Sequence, residues 1–350
     1  MDTSSNGPGQ PEGRGAGPGS SRRRRRWPFV VGGLVALGLV GLAVAAVVVL
    51  LAVGASGPSV ETAVYEEEYV SGEGPEKIVA VPVEGTIAPA ESSLGGVQPT
   101  ATPEGLADAL RQAADDPSVR AVVLEINSPG GGVTASDEMH QSILDFKKNT
   151  EKPVVVSMGD VAASGGYYIS TAADRIVANE TTLTGSLGVI FQLTNFSEAA
   201  DKYGISQVVI KSGKFKDIGN SFRKMTPEER EIFQSLVDES YAEFVDVISE
   251  GRDMPKERVR EIADGRIYSG SQARELGLVD SFGGLDEASA IAAEEAGATE
   301  TTVVRYVETP TFTETLLASF APREPEVEQV LDAAGLNLEP KPYYLYLPGA

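Results

Sequence analysis

The chain has 350 residues, 51 of them acidic and 29 basic, with one histidine and no cysteine. The missing cysteines exclude disulfides, thiolate nucleophiles and Cys-ligated metals, and a lone His140 excludes His-cluster metal sites. A net charge of −22 argues against a nucleic-acid partner, because phosphate binding wants a basic surface.

The first 28 residues read as a disordered, basic cytoplasmic tail. Residues 1–21 are rich in Gly, Ser and Pro, and five arginines follow without a break from Arg22 to Arg26. No charge occurs from Trp27 to Val60. The apolar stretch over 29–56 reads as a transmembrane helix; as a helix, Phe29–Ala55 reaches about 40 Å, and a hydrocarbon core is about 30 Å thick. The arginines place the N-terminus in the cytoplasm and the rest of the chain outside it. A cleaved signal peptide has a shorter apolar core, although Val53-Gly54-Ala55 resembles a small-residue cleavage site. Beyond residue 56 the chain carries 23 basic and 49 acidic side chains. Residues 57–77, with Glu66, Glu67 and Glu68, read as an acidic linker.

From residue 78 to 308 the pattern is α/β. Strands are expected at Ile78–Val83, Ala121–Ile126, Pro153–Ser157, Arg175–Ala178 and Gln207–Lys211. Helices are expected at Ala107–Ala114, Ala135–Lys148, Ser164–Ala172, Phe196–Tyr203 and Thr226–Glu250. The last is the best marked: Thr226 caps it, Pro227 suits its first position and Glu229 completes a capping box. Its apolar stripe runs from Ile232 to Ile248. Residues 309–350 read as a loosely attached tail, with one small amphipathic turn at Phe312, Leu316, Leu317 and Phe320.

Two segments carry chemistry. Asn127-Ser128-Pro129-Gly130-Gly131-Gly132 follows a strand, and such glycines let backbone N–H groups approach a ligand. It lacks the ending of a phosphate loop. It reads either as an oxyanion hole or as a tight turn. In Gly159-Asp160-Val161-Ala162-Ala163-Ser164-Gly165-Gly166, a strand leads through small residues to a serine at a helix start. That is the logic of a nucleophile elbow without its full pattern, and equally that of an ordinary N-cap.

A nucleophilic serine needs a base. His140 precedes Ser164 on a helix face read as solvated, which leaves lysine. An ordinary lysine, titrating near 10.4, is neutral in only about one molecule in 2,500 at pH 7. Lowering that to about 7.5 requires roughly 4 kcal/mol, so a lysine base must be desolvated. Three lysines cluster at Lys211, Lys214 and Lys216, and residue chemistry alone does not choose among them.

Five stretches taken together resemble the SppA-type signal peptide peptidase family of the Clp/crotonase superfamily: INSPGGGVTASDEM (126–139), GDVAASGGYYIS (159–170), TLTGSLGVI (182–190), IKSGKFKDIG (210–219) and GRIYSGSQARELGLVD (265–280). The resemblance implies a Clp/crotonase-like spiral of ββα units preceded by a single transmembrane helix. It makes Ser164 the nucleophile, Lys216 the general base and Ser186 the residue orienting the lysine. It makes the backbone N–H groups of Gly131 and Gly165 the oxyanion hole, with Gly130 as the one-residue alternative. It further implies a ring-shaped homo-oligomer with serine and lysine on neighbouring protomers. The implied substrates are cleaved signal peptides and other membrane-associated peptides, and no cofactor or metal is called for. Two other readings stand beside it: a crotonase-like acyl-CoA enzyme, against which an export anchor argues, and a non-catalytic membrane scaffold of the same fold.

Overall fold

A strand with apolar side chains on both its faces, such as Val119–Ser128 with Ala121, Val122, Val123 and Leu124 in succession, needs cover on both sides. The computed structural model supplies it; it describes residues 65–89, 100–308 and 342–345. The span expected over 29–56 and the turn at Phe312–Phe320 lie outside the described residues. Among the described residues no helix is long and apolar enough to cross a membrane.

The main sheet is built from β1 (Tyr65–Gly72), β2 (Glu76–Glu84), β5 (Val119–Ser128), β7 (Val154–Ala163), β8 (Arg175–Ala178), β12 (Ser281–Phe282) and β13 (Thr301–Glu308). Their order is β1-β13-β2-β5-β7-β8-β12. Along this path all neighbours are parallel except the antiparallel edge pair β1–β13. Two more strands complete the nine-stranded sheet, β9 (Leu183–Gly185), parallel to β7, and β11 (Ile267–Ser269), antiparallel to β9. Side chains alternate between two cores. Val79, Val122, Leu124, Val154 and Val156 face the larger one, with Met139, Ile143, Tyr167 and Tyr168. Ile78, Ala121, Val123, Val155 and Val177 face the smaller one, closed by Ala288 and Ala292 of helix Leu285–Glu295. This mixed α/β architecture fits the Clp/crotonase-like fold.

A second, small sheet sits at the strand ends. It comprises β3 (Thr86–Ile87), β4 (Thr100–Ala101), β6 (Gly130–Gly132), β10 (Ile190–Phe191) and β14 (Pro342–Leu345), in the order β10-β14-β6-β3-β4. Residues 342–345, at the far end of the expected tail, therefore pair antiparallel with Gly130–Gly132.

Most expected helices form. Helix α1 (Pro103–Asp115) is capped by Thr102, helix α2 spans Val133–Thr150, and helix α3 is short, Gly165–Ser170. Helix α4 spans Ser197–Tyr203, and α5 spans Pro227–Gly251 with its full capping box. Three expectations are corrected. Tyr65–Gly72, inside the stretch read as linker, is an edge strand: its glutamates face solvent, while Tyr65 is buried and its Oη donates to the Gly105 carbonyl (2.8 Å). Gln207–Lys211 is not a strand; no described strand pairs with it, and Val208 and Ile210 are 86% and 97% exposed. The apolar stripe of α5 is only partly used, with Phe244, Val245 and Ile248 buried but Leu236 exposed.

Candidate active site

Ser164 stands where β7 ends and α3 begins. Its backbone is left-handed (φ 53°, ψ −114°), a conformation that costs a non-glycine residue about 1–3 kcal/mol. Two hydrogen bonds hold it there: Ser164 N–H donates to the Gly185 carbonyl (2.8 Å), and Tyr168 N–H donates to the Ser164 carbonyl (2.8 Å). The side chain is 1% exposed, and its Oγ has no hydrogen-bond partner among the described residues. It is therefore no ordinary N-cap, whose hydroxyl would accept from the first turn.

The Gly-rich loop comes up against the same point. A Cβ built on Gly165 would lie 3.1 Å from the Gly131 nitrogen and 3.2 Å from Gly130 Cα, so the two backbones touch only because both are bare. Gly130 turns the chain with φ 98°. Its N–H donates to Ser128 Oγ (3.1 Å), whose hydroxyl donates to the Gly85 carbonyl (2.6 Å). That occupied amide favours Gly131 over Gly130 as a donor to a bound ligand.

Ser186 follows Gly185, whose carbonyl holds Ser164, at the end of β9 (Leu183–Gly185). It is half-buried, also left-handed (φ 50°), and donates its N–H to the Arg266 carbonyl (2.8 Å). The structure thus brings Ser164, Ser186, Gly131 and Gly165 to one end of the sheet.

Lys216 is not joined to them within one protomer. It lies exposed in a turn, its N–H donating to the Gly213 carbonyl (3.3 Å), and it does not reach Ser164 Oγ. The structure does separate the three clustered lysines. Lys211 is paired with Asp217 and Lys214 with Glu228, whereas Lys216 has no ion pair among the described residues. Two features escaped the sequence reading. One is Ser136, fully buried with an unpartnered Oγ beside Gly165. The other is a carboxylate–arginine cluster behind Lys216, described below.

His140 was read as part of a solvated face; it is 6% exposed, with its ring edge-on to Tyr168 (5.2 Å between centroids). Burial, the largest influence, holds its pKa down to about 4, with Asp137 pulling it up and Lys147 down. The unfolded chain therefore binds this proton first, near pH 6.5. The stability tied to the neutral ring is complete above that pH and is lost as pH falls toward 4. Between pH 6.5 and 4, the native protein should lose about 3 kcal/mol more than His140→Phe, measured by urea denaturation at the two values.

With fold and geometry defined, the comparisons are unambiguous about class. Residues 146–299 match the family described as Peptidase family S49. The chain is 36% identical over 290 residues to a putative signal peptide peptidase SppA of Enterococcus faecium, covering 80% of this chain and 84% of that one. It is 44% identical over 177 residues to a putative protease of Synechocystis (51% of this chain, 63% of that one) and 38% identical over 214 residues to Protease 4 of Haemophilus influenzae. The last match covers 61% of this chain and only 34% of that longer protein. This fold and these matches define a serine-type peptidase. The chain belongs to the SppA-type family, Peptidase family S49. Membership lends no support to the acyl-CoA or scaffold readings.

Proposed function

We propose that this protein is a membrane-anchored Ser-Lys endopeptidase that hydrolyses signal peptides and other membrane-associated peptides after export. The observation that carries the reading is Ser164 Oγ: buried, unpartnered among the described residues and held in a strained backbone next to Gly165, which packs against the Gly131 nitrogen. A protein keeps such strain and such an orphaned hydroxyl where chemistry uses them. Ser164 Oγ attacks the scissile carbonyl while the Lys216 amine takes its proton. The N–H groups of Gly131 and Gly165 hold the oxyanion. The ammonium then protonates the leaving amine, and the freed amine activates the water that cleaves the acyl-enzyme. Ser186 orients the amine.

Two further observations support the assignment. The antiparallel seat of residues 342–345 on Gly130–Gly132 is the geometry in which a sheet edge binds an extended peptide. And the exposed Val208, Val209 and Ile210, on the segment leading to Lys216, call for cover that the described residues do not give. A ring in which this segment meets a neighbour would bring Lys216 to that neighbour's Ser164 and desolvate it. The arginine run and the apolar stretch over 29–56 support a single-pass anchor, with the N-terminus cytoplasmic and the peptidase domain outside.

Mass spectrometry after fluorophosphonate labelling tests the reading. The adduct is expected on Ser164, and an adduct on another hydroxyl refutes it. Gly165→Ala should cost about 100-fold in turnover, the usual loss when an oxyanion donor is displaced, because the added methyl group would lie 2.5 Å from Ser136 Oγ. Adding Ser136→Ala should return part of that loss in the same peptide assay.

A further inference from the structure

The turn that carries Lys216 is short and exposed, yet the residue beside it is tightly held. Asp217 has a side chain only 10% exposed and is gripped in two ways by Arg223. Arg223 Nε donates to the Asp217 carboxylate (3.1 Å), and its Nη2 donates to the Asp217 main-chain carbonyl (3.0 Å). The other side of the same guanidinium is bidentate on Glu229, with Nη1 donating to Oε2 at 2.8 Å and Nη2 to Oε1. Glu229 is 3% exposed and itself belongs to the capping box of α5, accepting from Thr226 N–H (2.9 Å). A continuous chain of contacts therefore runs from the start of a 25-residue helix through Glu229 and Arg223 to the side chain and carbonyl of Asp217, the residue directly after Lys216.

We infer that Arg223, locked by Glu229, is a positioning residue that fixes the backbone of Lys216 so that its amine reaches a neighbouring protomer's serine. The inference rests on the reading of Lys216 as the base. A guanidinium suits the task because its planar fork serves two carboxylates and a carbonyl at once, which an ammonium cannot do. Hydrogen bonds from Arg223 are the main cause holding both Asp217 and Glu229 down to about 2, so the clamp stays charged wherever a neutral amine is available. Lysine side chains are long and flexible. A base delivered across an interface gains its precision from its backbone, and a displacement of about 1 Å can cost about 100-fold in rate.

The test uses full-length oligomers. Arg223→Gln should lower kcat about 100-fold with KM and oligomer size unchanged; an unchanged kcat overturns the inference. Asp217→Asn, a milder change at the other end of the clamp, should lower kcat less, and no effect from either variant also overturns it. Mixed oligomers then separate positioning from general damage. Arg223→Gln mixed with Ser164→Ala should regain activity, because the second protomer brings a clamped lysine to the first protomer's serine. Arg223→Gln mixed with Lys216→Ala should not, since every lysine is then absent or misplaced. Recovery in both mixtures, or in neither, overturns the inference provided that Ser164→Ala with Lys216→Ala recovers. If that control fails, the shared site is what falls, and the kcat of the unmixed variants decides the role of Arg223.

Discussion

Ser164→Ala should abolish peptide hydrolysis, by about four to six orders of magnitude, while leaving the protein as stable as before or slightly more so. The two halves of this expectation come from one geometry. Ser164 Oγ is the atom proposed to attack the substrate, so its removal leaves only the oxyanion donors and substrate binding. The same atom is buried without a hydrogen-bond partner among the described residues, a situation that costs the fold about 1–3 kcal/mol. Alanine removes that cost but keeps the left-handed backbone at φ 53°. Ser164→Gly also relieves the backbone, so melting temperatures should rise in the order native, Ala, Gly, while both variants are inactive. A serine serving only as a structural cap would give the opposite order, because losing a cap destabilises a helix. Calorimetry beside a peptide-cleavage assay decides between them.

What was legible in the sequence was local. The Thr226–Glu229 capping box forms as its spacing demands, because both partners lie within one turn. The apolar run Ala121-Val122-Val123-Leu124 announced a strand covered on both faces, and both covers are present. The loops around Gly131 and Ser164 were visible because glycine, proline and serine leave strong local marks. What was hidden depended on distant partners. Tyr65–Gly72 looks like an acidic spacer, and only its pairing with Thr301–Glu308, far along the chain, makes it a strand. The Arg223 clamp spans six residues on either side through turns, without any periodic signal. Gln207–Lys211 has the composition of a strand, but no described strand pairs with it, so its composition alone misled.

Lys216→Ala should be as inactive as Ser164→Ala when prepared alone, and mixing the two should restore activity to about a quarter of the native value per protomer. The fraction follows from the arrangement. In a closed ring with head-to-tail contacts, each site takes its serine from one protomer and its lysine from the next. With equal random mixing, a productive site needs a Lys216→Ala protomer beside a Ser164→Ala protomer in one order only, which occurs in about one site in four. No recovery is possible if both groups come from the same chain, since every site then lacks one of them. Among the described residues Lys216 is exposed and does not reach the buried Ser164 Oγ, which is why the mixing experiment is the one to do. Lys211→Ala and Lys214→Ala form the control. Both side chains are paired with carboxylates, Asp217 and Glu228. Each should keep most of the activity, Lys211→Ala somewhat less because its partner Asp217 is also the residue that Arg223 holds. A loss at Lys214 equal to that at Lys216 would move the base two residues along the turn, and the quarter-activity mixture would then have to be sought with Lys214→Ala instead.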